Sequence, residues 1–570
     1  MRARHLLLAL ALALLPLGAA PPDKVTLTWG MKPHDYLHYR DLHQVDDNGK
    51  PAMRDWLEHP VDLLGCDFDK EGKVALHVEN LYDVPLTLAF QAPDRPVAPG
   101  DKWKVAGEYD ALWTFPRIVA KGASEYVGPD VLDKTPCHVW KGSATIEEAK
   151  GKTANVNKEW IDAKVDWRVW FEADPGVVRR AELRWSMKYI GKPKASGEKP
   201  TEIVVVEELT RGELWRDRYE NFQKKVDEAI DKGVAWVKGQ QKADGSWGAY
   251  YEYTLGPSAL ALLTLLKGGV HHDDPAVQKG LAYVVAQPFM RTYEVALAMM
   301  AVDAFYTPAG EQDAIRRGQI KDFKRSLPPE HMAWMKKAAD WLVGHAFGTG
   351  DWGYSNGTTT DRPDLSNTQY GVLGLHAAGR CGLWGDEDTW LKILKVLMNQ
   401  QQKQGPPVRY TPKLTEGSTT EISAQARGWG YTEGGEPTTS MTCAGIAGIV
   451  LARDALTRMK AKKWNPRESA KALSAVKDGV GWLSEHYTVR ANDPVNRDWY
   501  FYAMYGLERA GTLGDFERLA GHDWYYEGAC VLIANQLGDG HWQDSGWVWL
   551  HDDCFAILFL KRATTALPTK

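Results

Sequence analysis

The spacing Gln241-x-x-x-Gly245-x-Trp247 closes the segment KGVAWVKGQQKADGSWG, and it returns as Gln536-x-x-x-Gly540-x-Trp542 within EGACVLIANQLGDGHW. The first copy ends a run of helical period, with Val234, Val237 and Gln241 on one stripe and Trp236 and Gln240 beside it. Asp244-Gly245 then stops the helix, because glycine accepts the positive φ that ends one. A side-chain amide there can satisfy backbone groups left unpaired at a helix end. An indole at the next turn can close over them. Two copies of one turn, so far apart in the chain, mean a repeat architecture.

The spacing of apolar residues extends that repeat to six helical pairs, at about 221–242 and 256–267, 275–287 and 291–305, 332–346 and 366–379, 387–402 and 438–456, 469–486 and 498–510, and 523–537 and 550–562. The first helix of each pair carries charge. The second is rich in Ala, Gly and Leu, and small residues such as Ala259, Ala261, Gly371, Gly374, Gly445 and Gly448 let helices approach closely. Six pairs can close into an inner ring inside an outer ring, which removes the exposed ends of an open solenoid.

The chain before this region has a different period. Glu159 to Glu172 alternates, with Ile161, Ala163, Val165, Trp167, Val169 and Phe171 on one face, and Val177 to Tyr189 and Glu202 to Leu209 are similarly strand-like. Asp174-Pro175-Gly176 is a hairpin turn between two of these strands. The expected organisation is α+β and multidomain: an antiparallel β domain over 24–212, sandwich or open barrel, then an α/α toroid over 213–567. Residues 1–20 read as a signal peptide, from basic Arg2 and Arg4, an apolar core and a small-residue exit. The mature protein is therefore expected to be exported, periplasmic or secreted, with no transmembrane segment. A net charge of -5 gives no reason to expect nucleic acid as a partner. Cys66 with Cys137, and Cys530 with Cys554, are open as disulfide pairs. His34, His38, His43, His59 and His77 read as ordinary histidines of the β domain.

The two complete Trp turns, the degenerate Gly350-Asp-Trp352-Gly353 and Gly428-Trp429-Gly430, and the six hairpins together resemble the prenyltransferase and squalene-oxidase repeat. That repeat builds the α6/α6 toroids of squalene–hopene cyclases and protein prenyltransferase β subunits. The resemblance covers about 220–565 and leaves out the β domain. Several segments also resemble exported, uncharacterised bacterial proteins carrying the repeat. The chemistry departs from the family. The D-x-D-D acid motif of the cyclases is absent, Leu550-His-Asp-Asp-Cys554 being nearest. The prenyltransferase zinc ligands would map to Asp498 and His551, with Tyr500 where a Cys is needed, so no metal is expected beyond that weak zinc reading.

The topology gathers all Trp turns at one end, each feeding the N-terminus of an inner helix. Six helix dipoles then surround one mouth, which favours anions. Tyr293, Glu294, Asp364, Asn367, Thr439, Ser440, Thr442, Asp498, Tyr500, His551, Asp552 and Asp553 are expected there. Asp552 and Asp553 could share a proton and supply an acid, or join His551 and Asp498 on a metal. The bland alternative is helix capping, worth about 0.3–1 kcal/mol per acidic residue. His271-His272-Asp273-Asp274 falls at the opposite end and reads as a solvated loop. Three functions follow. The first is a binding protein for an isoprenoid, lipid or glycan, without the standard catalytic motifs. The second is a class II terpene-cyclase-like enzyme using an Asp acid. The third is a polysaccharide lyase or glycosidase, for which Arg409 and Arg427 offer a cation.

Overall fold

A computed structural model of the protein describes residues 24–29, 36–47, 50–51, 57–64, 83–112, 115–148, 158–191, 201–215, 221–250, 253–320, 322–323, 325–354, 362–412, 421–490, 492, 499–543 and 550–568. The expected signal peptide and Cys66 lie outside them, as do His34, His77 and the side chains of His38, His43 and His59. The chain forms two compact units, 1–218 and 219–570.

In the first unit, strands β1 (Tyr36–Asp47), β2 (Lys50–Pro51), β3 (Leu57–Leu64), β4 (Lys102–Leu112), β5 (Phe115–Leu132), β6 (Thr135–Glu148), β7 (Lys158–Glu172), β8 (Val177–Gly191) and β9 (Thr201–Trp215) make one antiparallel sheet. Its order is β2-β1-β9-β8-β7-β6-β5-β4, with β3 also on β1. The alternation read in β7 is the pattern of burial: Ala163, Val165, Trp167, Val169 and Phe171 all face the core. Among the described residues, a second sheet does not cover that face. A helix, α1 (Asp83–Ala89), lies on β4, β6, β7 and β8 instead. Its seven residues, DVPLTLA, are too few to show a helical period in the sequence. Indoles fasten its C-terminal end. Trp140 Nε1 donates to Ala89 O (2.9 Å), Trp29 Nε1 to Phe90 O (3.1 Å) and Trp103 Nε1 to Gln91 O (2.9 Å).

The second unit is the α6/α6 toroid. The outer helices are α2 (Phe222–Gly239), α4 (Pro275–Ala286), α7 (Pro329–Gly344), α9 (Glu387–Gln400), α11 (Pro466–Glu485) and α13 (Trp524–Ala534). The inner helices are α3 (Leu255–Gly268), α5 (Thr292–Phe305), α8 (Leu365–Arg380), α10 (Thr439–Arg458), α12 (Tyr500–Gly514) and α14 (Leu550–Leu560). Each inner helix packs on the next, and α14 returns to α3, so the ring is closed. One short helix, α6 (Glu311–Arg316), lies between the second and third pairs. The insertion of the fourth pair forms a hairpin, β10 (Pro407–Tyr410) and β11 (Ile422–Gln425), that packs on α11. A smaller hairpin, β12 (Arg518–Leu519) and β13 (His522–Asp523), precedes α13.

The Trp turns fasten inner to outer ring by one repeated scheme. The indole N–H donates to the last turn of the outer helix: Trp247 to Val237 O (2.7 Å), Trp352 to Leu342 O (2.8 Å), Trp429 to Leu397 O (2.7 Å) and Trp542 to Leu532 O (2.7 Å). The Trp backbone N–H in turn donates to a side chain in the first turns of the inner helix: Ser258, Thr368, Thr442 and Asp553, respectively. Gln241 and Gln536 each bridge two carbonyls, one in their own turn and one in the next outer helix, Ala276 O and Ala229 O. Gln401 does the same for Arg427 O and Ala475 O, a third member hidden because the long insertion separates it from Trp429. Gly245 and Gly540 take φ of +90° and +99°, and a Cβ on either would strike a backbone oxygen of the next outer helix. Gly371 and Gly445 are small for another reason: a Cβ there would come within 2.6 Å of Trp352 and 2.4 Å of Trp429.

Cys137, Cys381, Cys443 and Cys554 are buried free thiols, so neither disulfide left open by the sequence is formed. No helix among the described residues is long and apolar enough to cross a membrane.

Candidate functional site

All six inner helices start at one end of the ring, and their first turns wall a cavity of about 870 Å³. Tyr250, Tyr253, Tyr293, Tyr354, Tyr370, Tyr431 and Tyr502 line it, with Trp247, Trp499 and Phe555. Polar groups between the rings come from Ser366, Thr438, Ser440, Asn492 and His551. The lip is open to water: Trp499 is 58% exposed and Tyr431 42%. Trp499 precedes α12 with φ +64°, a left-handed conformation that costs a non-glycine residue about 1–3 kcal/mol. Its indole lies near-parallel to the His551 ring, centroids 6.2 Å apart.

The residues expected at the mouth divide by what they touch. Tyr293, Ser440 and His551 face the cavity. Glu294 also lines it, but its Oε1 accepts from Leu255 N (3.0 Å) and Gly256 N (3.1 Å), capping the neighbouring inner helix. Asp364 caps α8, accepting from Asn367 N and from the Asn367 amide (both 2.8 Å). Burial raises its carboxyl above the usual range although those donors oppose the shift. Thr439 and Asn367 are buried at the first turns of α10 and α8. Thr442 serves the Trp429 turn, and the Tyr500 hydroxyl donates to Val489 O (2.9 Å). Asp498 lies outside the described residues.

The acidic pair beside His551 also separates. Asp553 is fully buried, and its Oδ1 accepts from Trp542 N at 2.7 Å. It holds the place that Ser258, Thr368 and Thr442 hold in the other turns, and it is not part of the cavity wall. Burial pushes its carboxyl up to about 8, and neighbouring Asp552 adds to the rise. Asp552 Oδ1 is 3.5 Å from His551 Nε2. His551 itself is driven down to about 4 by burial, so its ring is neutral at pH 7. The described residues do not assemble the zinc set of the prenyltransferase repeat. The thiolate position is Tyr500, turned to a backbone carbonyl.

Beneath the cavity floor runs a feature that periodicity does not reveal. Arg509, 2% exposed, donates to Gln369 Oε1 (2.9 Å) and lies over the rings of Tyr505 and Tyr370. Gln369 Nε2 donates to the Tyr502 hydroxyl. Tyr502 and Ser366 are joined at 2.6 Å, and Ser366 is hydrogen-bonded to Tyr293. These residues come from α5, α8 and α12, and only the closed ring brings them together.

The opposite end of the ring holds a second cavity, about 1000 Å³, near Lys267, His271, His272, Lys561 and Arg562. His271, His272 and Asp273 bring ligand atoms within 4.8 Å of one another, all exposed to water. Arg409 pairs with Glu421 across the insertion hairpin at 3.5 Å, and Arg427 pairs with Asp478 at 2.6 Å, so neither lines the mouth.

No family model matches the chain, and no curated protein matches it. Among solved structures, the chain is similar to a family 76 glycoside hydrolase from a bovine Bacteroides thetaiotaomicron strain. The two are 9% identical with a TM-score of 0.37, over 74% of this chain and 96% of that one. It is also similar to a lipovitellin structure concerned with lipid–protein interactions, at 8% identity and a TM-score of 0.18, over 84% of this chain and 56% of that one. The assignment of a toroid rests on the helix packing described above, and no function is taken from either likeness.

Proposed function

We propose that the chain is a binding protein whose ligand is a glycan, held in the cavity at the N-terminal mouth of the inner ring. One observation carries the reading: the wall alternates flat ring faces with hydroxyl groups, seven of them phenolic, and it opens to water past an exposed indole. A sugar ring presents an apolar face for stacking and a rim of hydroxyls for hydrogen bonding, and such a wall matches both. An isoprenoid would match the ring faces but brings no groups to hydrogen-bond with the hydroxyls that line the same wall. The cyclase reading further needs a carboxyl at the head of the cavity, whereas Asp553 is occupied with the Trp542 turn. For a glycosidase the wall is short of paired carboxylates: among the described residues Glu294 alone lines it, and it caps α3. Export would place the protein where glycans are met, and remains part of the proposal.

Titration with neutral and acidic oligosaccharides, read by intrinsic tryptophan fluorescence, tests this. Binding that weakens about tenfold or more in Trp499→Ala supports it, by the worth of an aromatic stacking contact. Saturable binding of polyprenyl alcohols with no response to any oligosaccharide would refute it.

A further inference from the structure

We propose that His271, His272 and Asp273 hold a divalent first-row transition metal of the zinc class at the wall of the second cavity, opposite the mouth. The two cavities share no lining residue, so this site is independent of the glycan reading.

Three consecutive residues can turn their side chains to one point only where the backbone bends sharply, and here the bend is fixed at both ends. Gly269 closes α3 with φ +104°, and Val270 N donates back to Leu265 O (2.9 Å). Asp274 opens α4, accepting from Ala276 N (2.9 Å) and pairing with Lys238 (2.6 Å), so it is committed elsewhere. Between these anchors both histidine carbonyls are tied down. Asp274 N donates to His271 O (3.0 Å), and Gln278 Nε2 donates to His272 O (2.8 Å). A turn held in this way sets out its side chains before any ion arrives.

The ligand atoms are spaced for a metal. His272 Nδ1 lies 3.0 Å from Asp273 Oδ1, and His271 Nδ1 lies 3.5 Å from Asp273 Oδ2. Zinc bonds to nitrogen and oxygen of about 2.0–2.2 Å set neighbouring ligand atoms about 3.0–3.5 Å apart, so these spacings need little adjustment. A shared proton does not account for the closeness. Asp273 N donates to His271 Nδ1 (3.2 Å), and a backbone N–H can only donate, so that nitrogen presents a lone pair. Among the described residues neither ring donates a hydrogen bond to the Asp273 carboxylate. A lone pair and a carboxylate oxygen therefore face each other, and a cation between them relieves the repulsion in exchange for the long bond from Asp273 N. Two imidazoles with one carboxylate suit zinc, copper, nickel or iron, whereas magnesium and calcium prefer oxygen alone. All three side chains are exposed and line the cavity, so the remaining coordination positions are open to water or to an oxygen ligand within it.

The test strips the untagged protein with a chelator and titrates it by calorimetry with zinc, and separately with magnesium and calcium. The wild type is compared with His271→Ala, His272→Ala and Asp273→Asn. These side chains are exposed, so the variants should keep their fold, which circular dichroism checks. The expected result is a single zinc per chain, bound more tightly than magnesium or calcium. Each histidine variant should weaken zinc binding about tenfold or more, and Asp273→Asn should weaken it in the same direction. Copper(II) at the same site should show coupling to imidazole nitrogens by electron paramagnetic resonance, reduced in either histidine variant. Zinc bound no more tightly than calcium, or zinc binding that neither histidine variant changes, would overturn the proposal.

Discussion

The two ends of the toroid treat a buried carboxylate in opposite ways. At the C-terminal end of the inner helices, Asp303 is 1% exposed and paired with Arg325 (2.8 Å) and Arg380 (2.6 Å). Arg325 also pairs with Glu311, and near by His376 and Arg458 share Asp454. Burial works against the ionised form of Asp303, yet the two guanidinium groups outweigh it and hold its carboxyl below the usual range. At the N-terminal end, Asp553 is equally buried but has only a backbone N–H, and its carboxyl rises to about 8. The polarity of the helices accounts for part of the difference. Cations such as Lys267, Arg380 and Arg458 are stabilised in the last turns of inner helices, where they supply partners for acids. First turns already carry partial positive charge, so that end is built from neutral rings and hydroxyls. Buried acids at one end are held in ion pairs, and at the other they cap helices and turns around the ring-lined cavity.

Removing Asp303 should break this contrast most severely. Asp303→Ala leaves two buried guanidinium groups short of a partner, and thermal or urea unfolding is expected to show a loss of about 3–5 kcal/mol. Asp553→Asn should act in the other direction. The unfolded aspartate ionises near pH 4 and the folded one near 8, so stability is lost as pH rises between those values. Asparagine can still accept from Trp542 N and carries no charge. Stability measured from pH 5 to pH 9 should fall in the wild type, on the order of 1–4 kcal/mol, and stay nearly level in the variant. His551 has the opposite slope. Its folded ring titrates near 4 against about 6.5 when unfolded, so stability is lost as pH falls from 6.5 to 4. His551→Phe should flatten that limb by about 1–3 kcal/mol. Trp499→Ala should change stability by less than about 0.5 kcal/mol, because the side chain is largely exposed, while weakening glycan binding.

The six hairpins were legible because a closed ring demands small residues at regular helical spacing, and Gly371 and Gly445 meet that demand against Trp352 and Trp429. The location of the mouth followed from the same turns. Roles at the mouth were harder to read. Ser258, Thr368, Thr442 and Asp553 do one job with different residue types, so no motif marks them. Asp553 therefore looks like a reactive acid in sequence, whereas its carboxylate serves a structural turn. The Arg509 chain was invisible for a different reason. Periodicity places Gln369, Tyr502 and Arg509 on inner helices, but it does not say which side chains meet across the ring.

The most direct test of the account is a crystal structure of the protein with the tightest-binding oligosaccharide. The account predicts a sugar ring against Trp499 and Tyr370 at the N-terminal mouth. A ligand seated instead in the opposite cavity, among Lys267, His271 and Arg562, would contradict it.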